Sequence, residues 1–392
     1  MKKNLLIAVF ISFVNALSIS VVVPIIYVYG KSFGLTDFQS SLLLTSYSLF
    51  QFLATPIIGR LSDYYGRKPL LAISLFGTFV SNILAALAPS AAFLFIARIL
   101  DGITGGNNSV AQAVISDTTT PAERAKAFGL FGASFGLAFI VGPVISLFAQ
   151  RISLSTPYLL SAFMALIATL LTVFILPETL VKKETKRLEF SNIGFKQIIT
   201  GLTLPIIGVF LLINFLTSLS VGMFQFSFQL FLINVLHKST EDITIILILY
   251  GLVSVIMQAG VIRFLLTRVS EMSLLVFSLL SSGIILSVMP LFGDYSLFII
   301  FTILFAIVGS LSRPVLISLI SKNTNAEDQG GTLGLTESYF SLATSIGPLL
   351  GGAIVSLGYS IPLILAGVLN IGTGLFALSK RSVVRIAKKV NL

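Results

Sequence analysis

The stretch Gly59-Arg60-Leu61-Ser62-Asp63-Tyr64-Tyr65-Gly66-Arg67-Lys68-Pro69 decides the reading of this chain. It gathers three basic side chains, one acid and two glycines between two runs, 38–58 and 70–88, that carry no charge at all. A helical bilayer crossing needs about 20 apolar residues, and both flanking runs are that long. The polar stretch therefore reads as a tight loop at a membrane surface, with Gly59 and Gly66 permitting the turns.

Working outward, apolar runs of spanning length recur at 5–29, 38–58, 70–88, 91–116, 127–149, 156–176, 203–235, 243–264, 272–292, 295–320, 330–357 and 359–379. Only helices suit such runs, because backbone groups in lipid must be satisfied within the segment. The expected fold class is an all-α integral membrane protein with twelve transmembrane helices. Composition agrees: 56% of the 392 residues are hydrophobic and 10% charged, against about 25% charged in soluble domains. The apolar run after Met1-Lys2-Lys3-Asn4 continues to about Gly30. That is too long for a cleaved signal peptide, so it reads as a retained first span.

Other classes are excluded by what the chain lacks. With no Cys and one His, His237, disulfides, thiolate metal sites, zinc and haem are not expected, and no cofactor is. The net charge of +10 does not point to nucleic acid, because the basic residues lie in short segments between apolar runs. No phosphate-cradling loop or nucleophile constellation is present, so neither an enzyme nor ATP drive is expected.

Charge sets the orientation. Lys2, Lys3 and every second loop together hold 20 of the 25 Lys and Arg, including Arg60, Arg67, Lys68, Arg124, Lys126, Arg263, Arg268 and Lys322. The opposite side holds Lys31, Arg151 and Lys238. Both termini are therefore expected in the cytoplasm of a cell with a multi-pass protein in its cytoplasmic membrane. The one long polar stretch, from Pro177 to about Thr200, divides the chain into a six-helix bundle over 1–176, a cytoplasmic linker over 177–200, a second bundle over 201–379 and a basic tail over 380–392. That tail interleaves charge with apolar residues and suits the anionic membrane surface.

The halves repeat. Gly129-x8-Ala138-x3-Gly142-Pro143 recurs as Gly334-x8-Ala343-x3-Gly347-Pro348, offset by 205, and Gly59 with Arg67 recurs as Gly260 with Arg268, offset by 201. Six spans per half give both halves one orientation, a parallel repeat of the kind found in rocking transporters.

The loop matches G-x-x-x-D-x-x-G-R-[KR] between the second and third spans, and here the sequence resembles the major facilitator superfamily. The resemblance implies two six-helix bundles, alternating access, and a cytoplasmic gate built from Gly59, Asp63, Gly66, Arg67, Lys68, Asp117 and Arg124. Asp63 can face the positive end of a neighbouring helix. Arg67 is expected to pair with an acid across the interface between halves, and the resemblance names Asp117. Tyr64 stands where the family usually has a basic residue, and Phe264 replaces the acid in the second copy. Gly129, Gly132, Gly136, Gly142 and Pro143 in the fifth span resemble the antiporter motif of drug:proton antiporters. With Gly347 and Pro348 they make smooth helix faces for packing, sliding or hinging. The segment Arg98-Ile99-Leu100-Asp101-Gly102-Ile103-Thr104-Gly105 is similar to tetracycline-type exporters, although Asn15 stands in the first span where an acid is expected of them.

Four charges fall inside spans: Arg98, Asp101, Arg313 and Glu337. Each costs a few kcal/mol at a helix centre, so each should face the interior and be paired. Arg98 and Asp101 share a helix face. Burial and the arginine pull the protonation of Asp101 in opposite directions, so this pair is expected to couple protons, with Glu337 as a further coupling site. Arg313 and Glu337 both lie about 10 Å from the cytoplasmic boundary at 1.5 Å per residue and are expected to pair. Asn15, Gln51, Asn214, Gln225, Phe226, Gln229 and Arg313 are the expected substrate pocket, with the Phe- and Met-rich seventh span as a flexible apolar wall.

The expected function is proton-coupled export of lipophilic drugs or metabolites, by a protein that works as a monomer on a small-molecule substrate and protons. The alternatives are uptake or facilitated transport of a polar solute such as a sugar or organic anion, and lipid translocation.

Overall fold

The computed structural model describes residues 3–180, 201–324 and 329–380, and all regular structure among them is helical. The linker basics Lys182, Lys183, Lys186, Arg187 and Lys196, and the tail 381–392, lie outside the described residues.

The first span is Lys3–Val22, continued after a turn by Ile26–Ser32. The second, Asp37–Tyr65, starts on a reciprocal cap: Thr36 Oγ1 accepts the Gln39 N–H at 3.2 Å and Gln39 Oε1 accepts the Thr36 N–H at 2.9 Å, which satisfies two otherwise orphaned donors. It stops at Gly66, whose φ of +117° suits glycine alone. The third span is Arg67–Ala86, the fifth Pro121–Ala149 and the sixth Thr156–Phe174. The seventh is Ile207–Asn234, the ninth Glu271–Val288, the eleventh Gln329–Ile354 and the twelfth Ile361–Ser379. The fifth and eleventh continue through Pro143 and Pro348.

Four spans differ from the continuous helices expected, the first of them through its turn at residues 23–25. The fourth is two pieces, Ala91–Ile103 and Asn107–Asp117, and the tenth is Tyr295–Gly309 and Ser312–Lys322. The eighth runs Thr240–Ile256, passes through a π-helical turn at Met257–Val261 and ends as Ile262–Leu266. Among the described residues, ten helices are long and apolar enough to cross a membrane unaided. The fourth and eighth spans miss that criterion because interruption leaves pieces of 13, 11 and 17 residues. Twelve crossings are therefore present.

The chain forms two units, Met1–Ile193 with Thr240–Ile248, and Gly194–Ser239 with Leu249–Leu392. The stretch Thr240–Ile248, expected within the second bundle, groups with the first unit. There Glu241 takes both Arg151 Nε at 3.1 Å and Nη2 at 3.0 Å, and Gln150 Nε2 donates to Thr244 Oγ1 at 3.3 Å.

Within the first unit the first span packs on the fifth and sixth, and the third on the fourth and sixth. Within the second unit the seventh packs on the eleventh and twelfth, and the ninth on the tenth and twelfth. The repeat in sequence is thus a repeat in packing. It extends to single bonds: Ser18 Oγ donates to the Ser161 carbonyl at 3.0 Å, and Ser220 Oγ to the Ala366 carbonyl at 2.7 Å. Each hydroxyl spends its proton on a neighbouring span, where leaving it unpaired would cost about 1–3 kcal/mol.

Candidate functional site

The motif loop is a charge network inside the first unit. Arg67 bridges Asp63 one turn earlier and Asp117 at the end of the fourth span, its Nε lying 3.1 Å from Asp117 Oδ2, while its Nη1 donates to Ser62 Oγ at 2.7 Å. The expectation that Arg67 reaches an acid in the other half is corrected: Asp117 belongs to the same unit. The sequence reading also missed Glu178. Its carboxylate accepts the backbone N–H groups of Arg67 at 3.0 Å and Lys68 at 3.2 Å. The reason is electrostatic. Arg67 and Lys68 put positive charge on a helix N-terminus, where the helix dipole already favours an anion, and Glu178 supplies it. A Cβ on Gly66 would collide with the Glu178 carboxylate, so this glycine is required by contact as well as by φ. The Arg124 side chain lies outside the described residues.

A second charge pair lies deep in the same unit. Arg98 Nη1 is 3.3 Å from Asp101 Oδ2, and both side chains are 8% exposed. The guanidinium also sits 5.9 Å from the Tyr47 ring centroid and 5.6 Å from that of Tyr158. Nη2 donates to Asn82 Oδ1 at 3.4 Å, whereas Nε has no hydrogen-bond partner among the described residues. Thr78 and Ser81 hydroxyls reach Asp101. The pair is thus held by four spans, with aromatic faces substituting for water around the cation. Tyr47 and Tyr158 were not singled out from sequence.

Below this pair the fourth span breaks. Gly102 and Gly106 lie so close to the second span that a Cβ would meet Tyr47 O and Ile58 Cβ at 2.6 Å each. At the break Gln51 Nε2 donates to the freed Gly105 carbonyl at 3.1 Å and to Tyr47 Oη at 2.9 Å. The next helix opens on an amide cluster: Asn107 Nδ2 donates to Asn15 Oδ1 at 3.0 Å, and Asn15 Nδ2 to Asn108 Oδ1 at 3.3 Å. Asn15 and Gln51 therefore each bind polar groups beside this break, from the first and second spans.

In the second unit Arg313 Nη2 donates to Glu337 Oε1 at 2.9 Å and Oε2 at 3.1 Å, with side chains 45% and 43% exposed. The guanidinium lies 3.9 Å from the Phe340 ring centroid. Asn214 is buried and donates to the Thr336 carbonyl at 2.9 Å. Gln225 is exposed, whereas Phe226 and Gln229 are buried. The seventh-span rings form a packed core: Phe224 is 4.7 Å from Phe305, and Phe231 5.2 Å from Phe298 between centroids. In this structure that face is interior and not an open wall.

The glycines divide by use. A Cβ on Gly142 would run into Ser20 of the first span, and one on Gly347 would meet Gly222 Cα and Met223 N at 2.8 Å. These matched positions let two helices touch backbone to backbone. Gly129, Gly132 and Gly334 face open space, and Gly136 is partly exposed on the same helix.

Comparison with known proteins agrees with this construction. A sequence model described as the Major Facilitator Superfamily matches residues 8–292 and 210–390. The "Tetracycline resistance protein, class B" of Escherichia coli is 28% identical over 93% of this chain and 90% of its own length. "Multidrug resistance protein 2" of Bacillus subtilis is 26% identical over 93% of this chain and 92% of its own. Among solved structures, a POT family transporter in complex with 5-aminolevulinic acid superposes with a TM-score of 0.80 at 14% identity, covering 98% of this chain and 97% of that one. At that identity the likeness speaks for the fold alone.

Proposed function

We propose, from the premise that this chain belongs to the Major Facilitator Superfamily, that it exports lipophilic drugs or metabolites in exchange for protons. Membership makes it a multi-pass membrane transporter of small molecules. The exported class and the proton are the proposal.

The observation that carries the proposal is the Arg98–Asp101 pair. An acid buried in a span stays ionised only while its cation is near; a lone charge there costs about 2.5–3.5 kcal/mol by insertion scales. A conformational change or a ligand that draws Arg98 toward the two tyrosine rings would leave Asp101 to take a proton. Restoring the pair would expel it. Arg98 already has those rings beside it, and its Nε is an unused donor that a new acceptor could take. The names of the relatives, tetracycline and multidrug resistance, support an apolar substrate and the outward direction.

The Arg67 network is the proposed cytoplasmic gate, and both termini share its side. Because the chain has no cysteine, a thiol at exposed Tyr65 reports this directly. An impermeant thiol reagent added to intact cells should leave Tyr65→Cys unlabelled.

The exposed Arg313–Glu337 pair favours a second reading, uptake of a polar solute that binds between the charges. Growth inhibition by a drug panel in a pump-deficient host, repeated with a proton uncoupler, separates the two. Export predicts protection that the uncoupler abolishes. No protection by any compound sinks the proposal.

A further inference from the structure

We propose that Glu271 is a positioning residue that fixes the direction of Arg313, as one of two clamps of opposite polarity built at matched places in the two units. The fourth and tenth spans both break, and the piece after each break is 11 residues long, Asn107–Asp117 and Ser312–Lys322. Each piece carries a polar side chain in its first turn, Asn108 or Arg313, and a charge at its last residue, Asp117 or Lys322. Both correspondences are offset by 205. Each terminal charge is held by the first residue of the preceding span. Arg67 holds Asp117 at 3.1 Å, and Glu271, offset by 204 from Arg67, holds Lys322 at 2.8 Å.

The polarity is exchanged between the units, and helix electrostatics makes the exchange unequal. Glu271 opens the ninth span, where the dipole favours an anion, whereas Arg67 opens the third, where the dipole opposes a cation. The first unit needs Glu178 as an added acid; in the second, Glu271 does both jobs. Ser270 supplies the remaining cap by accepting the Ser273 N–H at 3.3 Å.

The clamp acts on rotation. Glu271 Oε1 accepts from Ser318 Oγ at 2.6 Å and from Lys322 Nζ at 2.8 Å. These donors are four residues apart and share one helix face. Arg313 precedes them by five and nine residues, which turns it about 140° and 180° away from that face. A half-helix freed by the break could otherwise roll, and a roll would carry Arg313 off Glu337. Glu271 therefore acts through Arg313 and touches no substrate. The functional consequence rests on Arg313 taking part in transport; the position itself does not.

The test reads position without transport. Arg313→Cys places the chain's single thiol, and its reaction rate with a small maleimide is measured on the purified full-length protein. Adding Glu271→Gln should change the rate by about tenfold, the shift that losing one charge-assisted hydrogen bond carries. Exchanging the charges with Glu271→Lys and Lys322→Glu should bring it only part of the way back, because the lysine then opens the ninth span against the helix dipole. Lys31→Gln, which breaks an exposed pair with Asp37 at the far end of the first unit, should leave it unchanged. If Glu271→Gln does not fold, Ser318→Ala with Lys322→Gln carries the same expectation. An unchanged rate overturns the clamp, and an equal change from Lys31→Gln overturns its local character. A changed thiol rate with normal transport by Glu271→Gln would leave the clamp standing and count against a role for Arg313 in transport.

Discussion

The two units share their packing and differ in how they treat charge. In the first unit the intramembrane pair, Arg98–Asp101, is enclosed by four spans and two tyrosine rings, 8% exposed on each side. In the second, Arg313–Glu337 stands 45% and 43% exposed over one phenylalanine. The first unit closes its motif loop with three acids around Arg67 and the adjoining helix N-terminus. At the matched loop of the second, Arg268 lies 4.5 Å from the Phe264 ring centroid. One scaffold thus carries an enclosed, dry ion pair and an open one. A dry pair cannot separate without a proton or a replacement partner, whereas an open pair can admit a ligand at little cost. Proton exchange fits the first unit and ligand contact the second.

The largest asymmetry should appear at the loops. Asp63→Asn should abolish transport in membranes while equilibrium substrate binding persists, whereas Arg268→Gln should leave most transport intact. Similar losses from both would erase the difference between the loops. Next come the arginines. Arg98→Gln leaves Asp101 buried without its cation and should destabilise the folded protein by about 3–5 kcal/mol, seen as loss of recoverable protein or of denaturant resistance.

The glycines should cost less. Gly142→Ala and Gly347→Ala force helices apart and should each cost about 1–3 kcal/mol, lowering the melting temperature by roughly 2–10 °C. Gly129→Ala and Gly334→Ala, with nothing within 4 Å of the added carbon, should leave melting unchanged. Equal shifts at all four positions would refute the division of the glycines by contact. Arg313→Gln should cost little stability, at most about 1 kcal/mol for an exposed pair. Its consequence should be read in transport, where Arg313→Glu with Glu337→Arg recovers part of what either single change loses. A double exchange no better than the worse single would argue that the pair has no joint role.

Much of the fold is legible in the sequence, for identifiable reasons. Span number and repeat come from apolar run length and from the 205-residue offset, both long-range regularities that survive local irregularity. The Arg313–Glu337 pair is legible because depth in consecutive spans can be counted in residues. The breaks at residues 104–106 and 310–311 are not. Thr104-Gly105-Gly106 does pack tightly, as its glycines imply, but the ability of Gln51 to satisfy the freed Gly105 carbonyl depends on a neighbouring span. Glu178 escapes notice because it lies 111 residues from Arg67 in a stretch that reads as linker; the unneutralised positive charge opening the third helix was the available signal. The seventh-span phenylalanines pack against Phe305 and Phe298 in this structure, a placement that composition alone does not distinguish from a substrate-lining wall.

Proton exchange at the dry pair is the claim on which the difference between the units turns. In proteoliposomes loaded with a pH-sensitive dye, a compound against which the protein protects in the growth panel is added with and without an imposed pH gradient. If Asp101 carries the proton, folded Asp101→Asn still binds and equilibrates that compound but neither accumulates it against its gradient nor moves protons in exchange for it. Accumulation by Asp101→Asn at the rate and proton flux of the unmodified protein would contradict that role.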